Sequence, residues 1–220
     1  MKRFTFCLLI LFGAAVIAGP ANATMVSVTG PNSSLGTAPA IIAAPSDVLE
    51  DVVTNTGMQG FDEAQGVLTT AAYAHDSGVI PIGARVNSHM IFLNSEGETA
   101  LNHWNVVWTF VDDIVAVMSD TGGTYEAAST AELGAVGTNY TVAFGGSGAA
   151  APFELRGLEA DSDDAYVVDG NKITVTMAVF EPGDWIRVVT MPEPATLLVL
   201  IVSGLLAMGT RVLRKHRTTA

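Results

Sequence analysis

In the stretch KITVTMAVF, Ile173, Val175, Met177 and Val179 alternate with Lys172, Thr174, Thr176 and Ala178. A period of two sends successive side chains to opposite faces of an extended strand, and a helix cannot sort them that way. The same alternation sets Trp104, Val106, Trp108 and Phe110 against Asn105 and Thr109. Asp112-Asp113 then interrupts the run before Ile114–Met118, which reads as a hairpin. AYVVDGN carries Asp169-Gly170, a type I′ turn signal because both central positions of that turn need positive φ. EPGD at 181–184 turns the chain again into WIRVVT. Further strands are expected at MVSV near 25–28, VLTTAA near 67–72, RVNSHMIFL near 85–93 and YTVAF near 140–144. Short strands with Gly and Pro turns at this spacing predict a mainly β chain, an antiparallel β-sandwich of jelly-roll-like type. Two helical turns fit beside it. SDVLEDVV at 46–53 follows a Ser46 cap, and STAELG at 129–134 has a Ser129 cap, Glu132 three residues on and Gly134 as a stop.

The ends are of another kind. Residues 1–23, MKRFTFCLLILFGAAVIAGPANA, have the order of a secretory signal peptide: Lys2 and Arg3, an apolar run from Phe4 to Ala18, then Ala21-Asn22-Ala23 as an A-x-A cleavage site. Cleavage there makes Thr24 the first mature residue and implies signal peptidase and Sec-type export. The only cysteine, Cys7, leaves with this segment, so the body carries no disulfide, thiolate metal site or cysteine nucleophile. At the other end, Ala195 to Thr210 contains no charged residue. Sixteen helical residues rise about 24 Å, short of a ~30 Å hydrocarbon core. Val212 and Leu213 extend the helix to about 195–213 if Arg211 snorkels. Arg211, Arg214, Lys215 and Arg217 then form a cytoplasmic stop, leaving residues 24–191 outside the inner membrane. A buried core helix is the alternative, but it leaves this basic cluster at 211–217 unexplained.

A plain anchor has no use for Pro192-Glu193-Pro194. Two prolines around one residue keep the helix from running back past Ala195 and leave an extended peptide beside the membrane. Motif, apolar helix and basic cluster together, residues 192–220, resemble the PEP-CTERM sorting signal of Gram-negative bacteria. The resemblance implies recognition by exosortase, a membrane enzyme that cleaves near the motif, and an association with extracellular polysaccharide and biofilm. FDEAQGV, SHMIFLN, RGLEADSDDAY and EPGDWIRVVT are similar, more loosely, to the bodies of exported proteins bearing the same tail. That looser resemblance implies no activity.

The chain has 220 residues and a formal charge of −12. Between Thr24 and Met191 only Arg85, Arg156, Lys172 and Arg187 face 21 acidic residues, a net of −17. Nucleic-acid binding is excluded, because it depends on Lys and Arg neutralising phosphate. Arg156 and Arg187 are expected to pair with carboxylates. The expected order is signal peptide 1–23, N-terminal arm or linker 24–59 with an edge strand, β-sandwich 60–191, and sorting signal 192–220.

Candidate chemistry in the body is sparse. His75, His89 and His103 lack the HExxH spacing of zinc enzymes, and strand-edge or turn histidines are the favoured reading. Glu159-Ala160-Asp161-Ser162-Asp163-Asp164 is the best calcium loop, with Asp161, Asp163 and Asp164 as ligands. It departs from the EF-hand at Ala165 and Tyr166, and a solvated acidic loop is favoured. Gly145-Gly146-Ser147-Gly148 fails as a nucleophile elbow at Ala149 and, as a dinucleotide loop, runs into Pro152. Trp104, Trp108 and Trp185 form either core or a sugar-stacking platform.

The leading expectation is a non-enzymatic exported protein without a cofactor, sorted to the cell surface or extracellular matrix. The alternative is a carbohydrate- or calcium-binding surface module held permanently by its C-terminal helix. A hydrolase using the histidines is a third class and needs at least two of them together.

Overall fold

The computed structural model describes residues 24–49, 52–140, 156–159, 163–180 and 183–192. The signal segment 1–23, the tail from Glu193 on, Gly145–Gly148, the strand expected after Tyr140, Asp161 and the first half of EPGD lie outside the described residues. Along the chain come β1 (Met25–Thr29), β2 (Ala40–Ile41), β3 (Gln59–Asp62), β4 (Val67–Leu68), β5 (Tyr73–His75), β6 (Gly78–Ile80), β7 (Arg85–Leu93), β8 (Leu101–Phe110) and β9 (Asp113–Met118). They are followed by α1 (Thr124–Leu133), β10 (Ala165–Asp169), β11 (Lys172–Val179) and β12 (Asp184–Met191). Among the described residues no helix is long and apolar enough to cross a membrane.

The chain is mainly β, and its sheets are antiparallel apart from the short β2–β3 pair. One sheet runs β1-β8-β11-β10. The other runs β2-β3-β7-β12-β9, with β4 also on β7. Met25, Val106, Trp108, Ile173, Val175 and Met177 of the first meet Ile91, Leu93, Val117, Ile186 and Val188 of the second in one buried cluster. The two sheets approach closely enough that a Cβ on Gly60 would stand 2.7 Å from the Trp108 ring. Glycine there is a packing requirement.

β11 follows the alternation expected of it, with Ile173, Val175, Met177 and Val179 all buried. It forms a hairpin with β10, in which Asp169 faces Lys172. The turn is centred one residue later than the type I′ expectation, on Gly170-Asn171. Only Gly170 takes positive φ (59°). β8 and β9 do not form the expected hairpin. Their connection at Val111-Asp112 carries the chain from one sheet to the other, and β9 pairs with β12. Two oppositely facing sheets can both bury their apolar rows this way, a choice that local sequence does not encode.

β8 departs from strict alternation. Leu101 and His103 are buried, and so are Val106, Trp108 and Phe110, but Trp104 is exposed. Trp104 and Asn105 together oppose Thr176, because the register slips between Val175↔Val106 and Met177↔His103. Asn105 is the extra residue of this β-bulge. It sits at φ 56° and donates its N–H to Thr176 Oγ1 at 3.0 Å. The bulge turns Trp104 to the outer face.

The second sheet is covered on both faces, so β7 and β12 are buried at nearly every position. On the side away from the first sheet, Val48, Phe61, Met90, Phe92, Tyr140 and Trp185 form one cluster. Tyr73, Ile80, Val86, Ala116, Met118, Leu133 and Val189 form another, beneath α1 and the β5–β6 hairpin. The segment expected as an arm or linker belongs to this body. β1 is an edge strand, and Ser34 exchanges bonds with Asn102, its N–H donating to the Asn102 carbonyl at 2.8 Å. Met25 and Met58 lie in the inter-sheet core, so the boundary drawn at residue 60 divides a single packed unit.

α1 starts earlier than the Ser129 cap predicts. The Asp120 carboxylate accepts the N–H groups of Thr124 and Tyr125, at 2.7 and 3.0 Å, and caps the helix from four residues upstream. Ser129 lies inside α1 and bonds back to the Tyr125 carbonyl at 2.9 Å. Gly134 ends it as expected, donating to the Thr130 carbonyl.

Candidate functional site

The face of α1 turned to the sheet buries Glu126, Ser129 and Leu133, and two of these three are polar. Their partner is Arg187, fully buried on β12. Its Nε donates to Glu63 Oε2 at 2.7 Å and one terminal nitrogen donates to Glu63 Oε1 at 2.8 Å, a bidentate pair. The other terminal nitrogen donates to the Glu126 carbonyl, Ser129 Oγ and Thr130 Oγ1. Glu63 also accepts from Ser88 Oγ and Tyr140 Oη, both at 2.6 Å. Arg156 reaches Glu126 Oε1 at 3.2 Å and lies 4.4 Å over the Trp185 ring. The pairing of both arginines with carboxylates agrees with the sequence expectation.

Burial alone would raise the Glu63 carboxyl. The Arg187 charge and the bonds from Arg187, Ser88 and Tyr140 outweigh it and hold Glu63 below the ordinary carboxylate range. At Glu126 burial wins over Arg156 and Arg187, and the carboxyl is pushed up. Burial, followed by the Glu63 charge, raises the Tyr140 hydroxyl. A base or nucleophile needs a free lone pair and a route to substrate. Glu63 is closed off from solvent and its oxygens are occupied, so the cluster fastens α1 and the Tyr140 segment onto the sheet.

The three histidines occupy separate places. His75 lies on the β5–β6 hairpin. His103 is buried, with Nδ1 accepting the Met58 N–H at 2.8 Å and Nε2 2.9 Å from the Pro31 carbonyl. A ring that accepts at Nδ1 and donates at Nε2 is neutral. Burial accordingly pulls its pKa down, against the Pro31 bond. His89 joins a chain of three groups: its Nδ1 lies 2.7 Å from Asp62 Oδ1 and its Nε2 lies 3.2 Å from Thr190 Oγ1. Acid, imidazole and hydroxyl stand in the order used for nucleophilic catalysis. Thr190 and His89 are wholly buried and the ring packs on Phe110, so this hydroxyl meets no substrate. The Met25 N–H also donates to Asp62 Oδ1, and the group plugs the end of the inter-sheet core.

Two of the expected calcium ligands, Asp163 and Asp164, are among the described residues. Asp163 is exposed, while Asp164 converges with Glu159 and Asp184, one carboxylate oxygen of each lying within 4.8 Å of the others. Asp164 Oδ1 accepts the Ala178 N–H at 2.7 Å and its Oδ2 accepts the Glu159 N–H at 3.3 Å. It thereby staples the loop to β11. Trp108 and Trp185 are core, and Trp104 is 40% exposed. A groove of about 280 Å³ opens between the edges of β9 and β10, lined by Ser77, Ile114, Val115, Val117, Tyr166 and Val168. Its walls are mostly apolar, and the Tyr166 hydroxyl is held by Asp76 at 2.7 Å. No family model matches the chain, and neither a curated protein nor a solved structure is similar to it.

The sequence signal for the buried network was the scarcity of cations: with so few in an acidic body, each one has a carboxylate to meet. Which carboxylates, Glu63 and Glu126, follows from the tertiary fold alone.

Replacing Arg187 with Met leaves Glu63 charged and buried, and is expected to cost about 3–5 kcal/mol in urea unfolding. Replacing both, Arg187→Met with Glu63→Leu, is expected to cost clearly less than the sum of the single changes. Additive losses would show that the pair is not coupled. Acid has its own signature. His103, with a folded pKa below 6.5, makes the unfolded chain the stronger proton binder as pH falls through 6.5, so stability is lost in that direction. His75, lowered by burial against Asp76, acts in the same sense, and raised Glu126 acts in the opposite one. Comparison with His103→Asn isolates the first term: the slope of unfolding free energy below pH 6.5 is expected to become shallower. An unchanged slope contradicts the neutral-ring assignment.

Proposed function

We propose that this chain is an exported cell-surface or extracellular-matrix protein, processed at both ends and sorted by exosortase through Pro192-Glu193-Pro194. Its body is a β-sandwich, jelly-roll-like in that the chain passes between sheets after β1, β7, β8, β9 and β11. The observation that carries this reading is positional. The β body begins at Met25 and ends at Met191, filling the interval between the Ala23–Thr24 cleavage site and the motif at Pro192. A signal processed at either end can then be removed without cutting a strand. The acidic surface suits release into an aqueous envelope and disfavours binding to anionic headgroups. The role is non-enzymatic: the buried carboxylates, histidines and Thr190 hydroxyl support the sheet, and catalysis belongs to signal peptidase and exosortase. The inner membrane holds only the precursor, through residues 195–213 and the stop at Arg211, Arg214, Lys215 and Arg217.

Replacing Pro192, Glu193 and Pro194 together by Ala leaves the apolar helix intact and removes the processing motif. In native cells the variant is expected to accumulate in the membrane fraction, while the unaltered protein appears at the surface or in the medium. Equal release of both would overturn the sorting reading. Retention of both would favour the permanently anchored module.

A further inference from the structure

We propose that the outer face of the four-stranded sheet binds a neutral saccharide, with Trp104 as the surface on which one sugar ring lies. The proposal deepens the reading of a surface protein. It does not depend on the tail being cleaved, so the two can fail separately.

The bulge is the first reason. Run backwards from Phe110, Trp108 and Val106, alternation would place Trp104 in the core. The extra residue Asn105 reverses it. Asn105 is the one non-glycine residue with positive φ among the described residues. A side chain in that region costs backbone strain, and such strain collects at ligand-binding positions. The strained backbone is fixed, since the Asn105 N–H is bonded to Thr176 Oγ1. Trp104 is thus presented on a strand held by neighbours on both sides, β1 and β11. A ligand that meets it finds a pre-oriented ring.

The surroundings choose the ligand class. On the same face, by register, stand Asn102 two residues before Trp104, Thr176 across from it on β11, then the row Thr29, Val107, Thr174 and Val167. These are neutral amides, hydroxyls and methyl groups. An indole accepts the C–H face of a sugar ring, and Asn and Thr side chains both donate to and accept from its hydroxyls. Charge excludes the other candidates. The ionic groups nearest in register are acidic: Asp163 and Asp164 directly precede Ala165, which opposes Thr176, and Asp164 accepts the Ala178 and Glu159 N–H groups. Lys172 lies four positions along β11, roughly 13 Å away at strand rise. A cationic ligand calls for a cage of several aromatic rings, and here there is one. A polyanionic glycan would meet a body of net −17.

The test is isothermal titration calorimetry of the full chain in a sugar-free zwitterionic detergent. The probes are hexasaccharides of β-1,4-linked glucose, β-1,4-linked mannose, α-1,4-linked glucose and β-1,4-linked N-acetylglucosamine, with alginate as the polyanion. At least one neutral hexasaccharide is expected to give a saturable binding isotherm. Trp104→Ala should weaken that binding roughly tenfold while leaving the thermal midpoint unchanged, and Trp104→Phe should retain most of it. Absence of binding by every neutral probe at millimolar concentration would overturn the proposal. So would equal binding by Trp104→Ala, or binding of alginate alone.

Discussion

The Arg187–Glu63 pair is the contact around which this body is assembled. It lies at the centre of the second sheet, on the face turned away from the first, where neither ion reaches water. Its hydrogen bonds extend to β7 through Ser88, to α1 through Ser129, Thr130 and the Glu126 carbonyl, and to the segment after α1 through Tyr140. A buried ion pair is not by itself a large source of stability, since two desolvated charges cost about as much as they return. Its effect here is positional. An apolar helix face would slide on an apolar sheet, whereas a guanidinium with five directed donors fixes one docking of α1. The chain has few cations, and placing Arg156 and Arg187 in the interior leaves Arg85 and Lys172 as the Arg and Lys side chains at its acidic exterior among the described residues.

How much of this was legible in the sequence depends on how local the cause is. β11 could be read outright, because its two faces meet different environments and its residues alternate accordingly. The β10–β11 hairpin could be read from Asp169, Gly170 and Asn171, although the turn centre moved by one residue. β7 and β12 could be recognised as strands but not as central ones: covered on both faces, they carry polar groups such as His89, Ser88 and Arg187 inward without an alternating signature. The β8–β9 hairpin failed because crossing between sheets and turning back within one look alike at Asp112-Asp113. α1 was shortened, since its true cap is the side chain of Asp120 and its buried face is polar. Trp104 was misplaced by one inserted residue, which pattern matching treats as continuous strand.

The same division holds for the sites. Pairing of Arg156 and Arg187 with carboxylates followed from charge scarcity, but Glu63 and Glu126 lie 124 and 30 residues from the atoms they bind. Asp164 converges with Glu159 and Asp184, which come from either side of β10–β11. The Asp62–His89–Thr190 chain has the chemistry of a relay and the burial of a structural plug. Among the described residues the outer face of the four-stranded sheet carries Thr and Asn side chains and the exposed Trp104.

In the proposed function the two ends are removable addresses flanking a single β body. Intact mass of the protein from its native cells, after separation of membrane, envelope and medium, tests it most directly. A species beginning at Thr24 and ending between Pro192 and Ala195, outside the membrane fraction, is expected. A membrane-bound species that still carries Arg217 would contradict it.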